Sequence, residues 1–293
     1  MIAKTARLRA LLASGEFLYM PSATTPIEGR LAEAAGAPVV YTGGYATGAS
    51  RAITEPLLTM DEQVRVAGEV ARALSVPLVA DAGAGFGEPL HTMRTVREFA
   101  AAGVAGIHIE DQIYPKRAHY HKYVAHAVPV PEFVDKIRWA CRERDRTDPD
   151  FVIIARSDTC RELGLDEAVG RVNAAAEVGA DLGLLFPRND AEAEAAPKLA
   201  KVPLVWVQSR GNRDGRPIYG LDRLKMMGYR ACIDAQLLLG VAVHFIKEAL
   251  GEMQRTGSYT GIGDNQFTLL RKDIEDLIGL DDHYRVEAET VER

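Results

Sequence analysis

The sequence predicts a single (β/α)8 barrel carrying extra C-terminal helices, and three observations predict it. Eight short apolar runs recur, each followed by a polar or Gly-rich loop and then by a helical stretch that stops at Gly. Most of those runs are continuously apolar, as strands covered on both faces are. The length, 293 residues, is ordinary for one such barrel. An open, doubly wound sheet is the competing arrangement, but eight repeats favour closure.

In chain order, the opening segment mixes Lys4, Arg7 and Arg9 with Ala and Leu, which reads as an amphipathic helix and not a signal peptide. The strands are expected at Phe17–Met20, Val39–Thr42, Leu78–Ala82, Gly106–Glu110, Phe151–Arg156, Asp181–Phe186, Leu204–Gln208 and Tyr229–Ile233. Thr25-Pro26-Ile27-Glu28 and Thr59-Met60-Asp61-Glu62 are capping boxes, the first with Pro at the opening helical position. Gly36, Gly103, Gly179 and Gly228 stand where helices should end. An apolar helix over Ala235–Leu250 is followed by a Gly-rich break at Gly257–Gly263, a further helix to about Ile278, and an acidic tail. The chain reads as one domain, with 252–293 as a helical extension.

Composition narrows the function. A formal net charge of −6 argues against a general nucleic-acid or anionic-membrane partner, since both need clustered Lys and Arg. The most apolar stretch, Leu237–Ile246, is short of the ~20 residues that a membrane span needs. Three widely spaced cysteines, Cys141, Cys160 and Cys232, form no C-x-x-C pair, so a reducing cytoplasm fits better than a disulfide framework or a zinc knuckle.

In a barrel, chemistry collects at the strand C-termini. There the sequence places Ser22, Thr42-Gly43-Gly44, Asp81, Glu110-Asp111, Arg156-Ser157-Asp158, Arg188, Gln208-Ser209 and Asp234. Asp81 and Glu110 end consecutive strands and should converge on one point, where two carboxylates and water suit Mg²⁺ or Mn²⁺. The alternative for either alone is a structural ion pair, for instance with Arg156. The glycines of Thr42-Gly43-Gly44 permit a close backbone approach that can grip a carboxylate, or merely form a tight turn. Gly83-Ala84-Gly85-Phe86-Gly87 lacks the G-x-G-x-x-G spacing of a dinucleotide loop and reads as an active-site loop. The stretch Tyr114–Pro129, with Lys116, Arg117, His119, His121, Lys122 and His126, has no clear period; a basic lid over an anionic substrate is the preferred reading, and a solvated basic loop the other.

At Gly106-Ile107-His108-Ile109-Glu110-Asp111-Gln112, followed by Pro115-Lys116-Arg117, the chain resembles the isocitrate lyase/phosphoenolpyruvate mutase superfamily. Tyr41-Thr42-Gly43-Gly44, Asp81 to Gly87, Ile154 to Asp158 and Leu185-Phe186-Pro187 extend the resemblance collinearly. It implies a modified barrel, a homotetramer that exchanges C-terminal helices, and cleavage or formation of C–C or P–C bonds through a Mg²⁺-bound enolate or related species. It further implies that Asp81 and Glu110 hold the metal, that Thr42, Gly43 and Gly44 hold a substrate carboxylate, and that Arg156 faces the oxygen that becomes negative, with Tyr41 and Lys116 near the reacting group. The chain departs from the pattern at four places. The lid thiol of the lyases is Ala118, leaving His119 or His121 as the proton source; a second metal-motif Asp is Gly83; an Asp after the second strand is Glu55, which is expected as a catalytic residue in its place; and a Glu after the Phe-Pro of the sixth is Arg188. Arg188 and Gln208 complete the expected substrate contacts. The expectation is a Mg²⁺-dependent C–C lyase or decarboxylase for a small 2-oxo or 2-hydroxy dicarboxylate. Phosphonopyruvate hydrolase or phosphonomutase chemistry is the enzymatic alternative, and a barrel that binds an oxo acid without turnover is the third reading.

Overall fold

The computed structural model describes residues 3–122, 124 and 126–292, without the side chains of Tyr120 and His121. The expected donor His121 therefore has its side chain outside the described residues. All eight strands form: β1 (Leu18–Pro21), β2 (Val40–Thr42), β3 (Leu78–Asp81), β4 (Gly106–Glu110), β5 (Val152–Arg156), β6 (Leu182–Leu184), β7 (Leu204–Gln208) and β8 (Ala231–Asp234). Every pairing is parallel, in the order β1-β8-β7-β6-β5-β4-β3-β2. The ring closes just above β1, where Ser22 bridges Tyr41 and the Ala23 amide donates to the Tyr41 carbonyl at 2.8 Å.

Side chains alternate across each strand. The inner set, including Leu18, Met20, Tyr41, Val79, Val152, Ile154, Leu184, Val205 and Ile233, packs as one buried cluster. Leu8 of α1 (Lys4–Ala13) joins that cluster, and Arg9 of the same helix pairs with Asp181 at 2.6 Å. The outer set, including Val40, Leu78, Ile107, Ile109 and Ile153, packs with α4 (Met60–Ala73), α5 (Pro89–Ala101) and α6 (Val130–Thr147) through residues such as Val70, Phe99, Phe133 and Ile137.

Local signals explain the helix ends. Both capping boxes close as expected, on α2 (Pro26–Ala34) and α4, with the threonine hydroxyl accepting from the N3 amide and the glutamate accepting from the cap. Gly228 ends α9 (Leu221–Met227) in the left-handed region at φ +98°, where a side chain would be strained. The chain adds α3 (Gly44–Ser50) and a 3-10 turn at Glu55–Leu57 after β2, which the sequence pattern does not signal. Helices α7 (Cys160–Ala176) and α8 (Asp190–Leu199) complete the barrel.

The chain divides into two compact units, Met1–Leu238 and Leu239–Arg293. The second holds most of α10 (Leu237–Thr256), then α11 (Asp264–Ile278) and α12 (Leu280–Thr290). The expected acidic tail is corrected here: past Gly279 it is helical, with Asp281 and Asp282 in the first turn, where acidic charge favours a helix. Among the described residues no helix is long and apolar enough to cross a membrane.

One position tests the packing directly. A Cβ on Gly183 of β6 would run into the Val172 side chain and lie 2.7 Å from Leu204 Cδ2. Gly183→Ala is expected to destabilise the protein by about 1–3 kcal/mol through overpacking. Thermal denaturation checks it; an unchanged Tm would contradict this account of the β6–α7 contact.

Candidate active site

Strand parity builds the site. On β3, β4 and β5 the residues that share the inner face with Val79, His108 and Ile154 two positions earlier are Asp81, Glu110 and Arg156. Register then sets them side by side: Asp81 is opposite His108, and Glu110 opposite Arg156. The carboxylates of Glu55, Asp81 and Glu110 each offer an oxygen within 4.8 Å of the other two, and all three residues are buried.

Two cations sit among them. Lys116 lies 2.5 Å from Glu55 and 3.0 Å from Glu110 Oε1. Arg156 lies 3.2 Å from Glu110 and 3.7 Å from Asp81. The Arg156 guanidinium is held in fork fashion by Asp158, at 2.8 and 2.9 Å, and Asp158 also accepts from Gln112. Asp158 is anchored in turn: its amide donates to Asp111 at 3.1 Å, and Asp111 accepts from Ser157 at 2.6 Å and lies 3.4 Å from Arg171.

Tyr41 and His108 form the floor. The Tyr41 hydroxyl meets His108 Nε2 at 2.7 Å, and His108 Nδ1 faces Asp81 Oδ1 at 3.6 Å. Burial, reinforced by Asp81, pushes the Tyr41 phenol well above its usual range, so it keeps its proton and donates to Nε2. Burial pulls His108 down to about 4, against the pull of Asp81, so its imidazole is neutral near pH 7. Asp81 is held below the usual carboxylate range: burial opposes this, but His108, which is protonated in the acid range where Asp81 would titrate, together with the Arg156 and Lys116 charges and the Gly83 amide, outweighs it. Glu110 goes the other way, pushed up to about 7 by burial against the pull of Lys116 and Arg156. Lys116 stays charged, since Glu110 and Glu55 together overcome its burial.

The donor set fits a hard divalent cation. Glu110 Oε1 is fully buried and, with the Lys116 ammonium 3.0 Å away, still forms no well-aligned hydrogen bond among the described residues. Three convergent carboxylates with no sulfur or imidazole donor are the ligand type that Mg²⁺ and Mn²⁺ take.

The other expected residues fall into two groups. Glu55, expected as a catalytic residue, lies with the two carboxylates expected to hold the metal. The Thr42 hydroxyl donates to the Ala23 carbonyl, and the Gly44 amide donates to Asp81 at 3.1 Å. Close packing requires both glycines, because a Cβ on Gly43 would lie 2.8 Å from the Tyr41 ring and one on Gly44 2.9 Å from Glu55. Outside the cluster, His119 is exposed on a 3-10 turn and stacks with His126 at 6.2 Å. Arg188 pairs with Asp214. The Gln208 amide is engaged by Trp206 and by both backbone groups of Tyr219. Sequence reasoning passed over His108, although its position two residues before Glu110 on a strand marks it as inward. It also passed over Asp158 as the support of Arg156, for which the sequence carries no comparable signal.

Fold and site together define a barrel enzyme with an acidic, arginine-backed centre at its strand C-termini. The chain belongs to the phosphoenolpyruvate phosphomutase family, which it matches over residues 8–254. It is 35% identical over 258 residues to a probable 2-methylisocitrate lyase of Corynebacterium glutamicum, covering 86% of this chain and 81% of that one. It is 32% identical over 285 residues to the 2,3-dimethylmalate lyase of Eubacterium barkeri, covering 96% of each. Among solved structures, oxaloacetate acetylhydrolase in complex with 3,3-difluorooxalacetate superposes with a TM-score of 0.89 at 31% identity, over 98% of this chain and 97% of that one.

Proposed function

We propose that this protein is a divalent-metal-dependent lyase or decarboxylase that breaks a C–C bond in a small 2-oxo or 2-hydroxy dicarboxylate, of oxaloacetate or substituted-malate type, through an enolate. One observation carries the reading: three buried carboxylates converge beside Arg156 and Lys116, in a chain whose relatives include lyases of methylisocitrate and dimethylmalate. A relative named oxaloacetate decarboxylase, 31% identical over 250 residues, agrees with it.

Asp81, Glu110 and Glu55 are the proposed holders of Mg²⁺, with Mn²⁺ as a substitute. When bound, the cation polarises the substrate oxygen as a Lewis acid. The remaining work falls to the chain itself. Arg156, locked by Asp158, offers fixed N–H donors to the oxygen that gains charge, and donors already in place cost no reorganisation during reaction. Lys116 is a charge stabiliser and not a base, because its proton is held tightly. Tyr41 gives its hydrogen bond to His108 Nε2 and so fixes the imidazole beneath the carboxylates. The Thr42–Gly43–Gly44 turn gives the proximal carboxylate a close backbone approach. For the proton-returning role that the lyases give to the thiol replaced by Ala118, His119 is the residue proposed, and from its exposed place outside the carboxylate cluster it would serve only if its turn moves over the bound substrate.

The proposal extends to assembly. Helices α10 to α12 bury no residue, and Phe245, Ile246, Leu250, Phe267 and Leu269 are exposed. A homotetramer in which neighbouring copies exchange and cover these helices accounts for that surface. Three buried free thiols agree with a cytoplasmic location.

The test is a turnover panel of oxaloacetate, 2-methylisocitrate, 2,3-dimethylmalate and phosphonopyruvate, with Mg²⁺ and with chelator. Metal-dependent cleavage of one of the first three is expected. Reaction of phosphonopyruvate alone would replace the reading with P–C chemistry, and turnover of none would leave a binding barrel. A pH effect follows from Glu110. Its proton is held up to about 7, so below that pH a cation must displace it. Apparent Mn²⁺ affinity is expected to fall by up to ~10-fold per unit as pH drops from 7 to 5; a flat profile by calorimetry would contradict this.

A further inference from the structure

The ring of Phe186, just after β6, carries two guanidinium groups: the Arg156 carbon lies 4.9 Å from the ring centroid and the Arg216 carbon 4.7 Å. Their surroundings act on them in opposite senses. Arg156 is held above the ordinary arginine range, because Asp158, Glu110 and Asp81 outweigh its burial. Arg216 is pulled below that range: burial is the largest influence, the Arg156 and Arg188 charges add to it, and Asp214 and Asp158 do not make up the difference.

The carboxylate nearest Arg216 is shared. Asp214 pairs with Arg161 and Arg188 and stands 3.7 Å from Arg216 Nε. The loop that presents Arg216 is nonetheless built rigidly. Gln208 ties its two ends together through Tyr219. Asn212 donates to the Ser209 and Arg216 carbonyls and accepts from the Arg216 amide, while Arg216 Nη2 donates to Ser209 Oγ at 2.8 Å. A fixed, 9% exposed and under-neutralised cation therefore stands one phenyl ring away from Arg156. Burying such a charge is costly unless an anion compensates it. The two guanidinium carbons are at most about 10 Å apart, a span that a four- or five-carbon dicarboxylate bridges with one carboxylate at each pole.

We propose that Arg216, assisted by Arg188, receives the distal carboxylate of the substrate and so selects dicarboxylates over monoacids of the same reacting end. This rests on the reading of the site as an oxo-acid or hydroxy-acid lyase. The test is calorimetry with Mg²⁺ and two probes: oxalate, whose two carbons reach only the Arg156 pole, and 3,3-difluorooxaloacetate, which carries a distal carboxylate. Binding of oxalate by the unaltered protein tests the underlying reading by itself, and its failure would be seen before any variant is made. Arg216→Gln is expected to weaken difluorooxaloacetate roughly 30-fold or more, and oxalate by no more than about threefold. Arg188→Gln, at a partly exposed residue, is expected to give a smaller loss in the same sense and decides the matter if Arg216→Gln does not fold. Unchanged difluorooxaloacetate affinity, or equal losses for both probes, would overturn the assignment.

Discussion

Asp81→Ala is expected to lower kcat/KM about a thousandfold or more and to remove divalent-cation binding. A bound cation contributes several kcal/mol of charge stabilisation to reactions of this kind, and the surroundings of Asp81 hold its carboxylate in the ionised form. The residue also accepts the Gly44 and Gly83 amides, so alanine leaves one buried and one half-buried donor unpaired. Asp81→Asn separates the two effects, because it keeps an acceptor for the amides while removing the charge. Steady-state kinetics on the productive substrate, together with Mn²⁺ titration, reads both variants. Full activity in either, with the fold intact, would refute the metal role.

The second large effect is expected at Arg156. Arg156→Gln removes the donor proposed to face the developing charge, and losses of this type are about 10²–10³-fold in kcat. The variant also strands Asp158, a buried carboxylate that the guanidinium holds below its usual range, so a loss of stability should accompany the kinetic one. Arg156→Lys keeps the charge but not the fork, and should recover stability better than rate. A loss confined to KM would mean that Arg156 only binds substrate, against the role assigned here.

These expectations rest on features that the sequence exposes unevenly. The barrel was legible because strands buried on both faces are written as unbroken apolar runs, and because Thr25 and Thr59 mark helix starts chemically. The Asp81–Glu110–Arg156 centre was legible for a related reason: each residue ends a strand, and strand ends in a parallel barrel converge. Glu55 was recognised from family resemblance as a departure, but its place with the other two carboxylates depends on α3 and the following 3-10 turn, neither of which has a strong local signal. Lys116 reaches Glu55 across 61 positions from a segment without periodicity, a contact that only the folded chain reveals. Gln208 and Arg216 illustrate the same limit. Both lie at one end of the barrel in sequence terms, yet the fold engages the amide of one with Trp206 and Tyr219 and leaves the charge of the other under-neutralised.

Glu55, Asp81 and Glu110 are proposed to hold one divalent cation jointly beside Arg156. Anomalous diffraction from crystals grown with Mn²⁺ and oxalate tests it most directly. A single peak among those three carboxylates, with Lys116 displaced toward the ligand and oxalate reaching Arg156, is the predicted result. A peak elsewhere, or Lys116 still bridging Glu55 and Glu110 with no ion among the carboxylates, would contradict it.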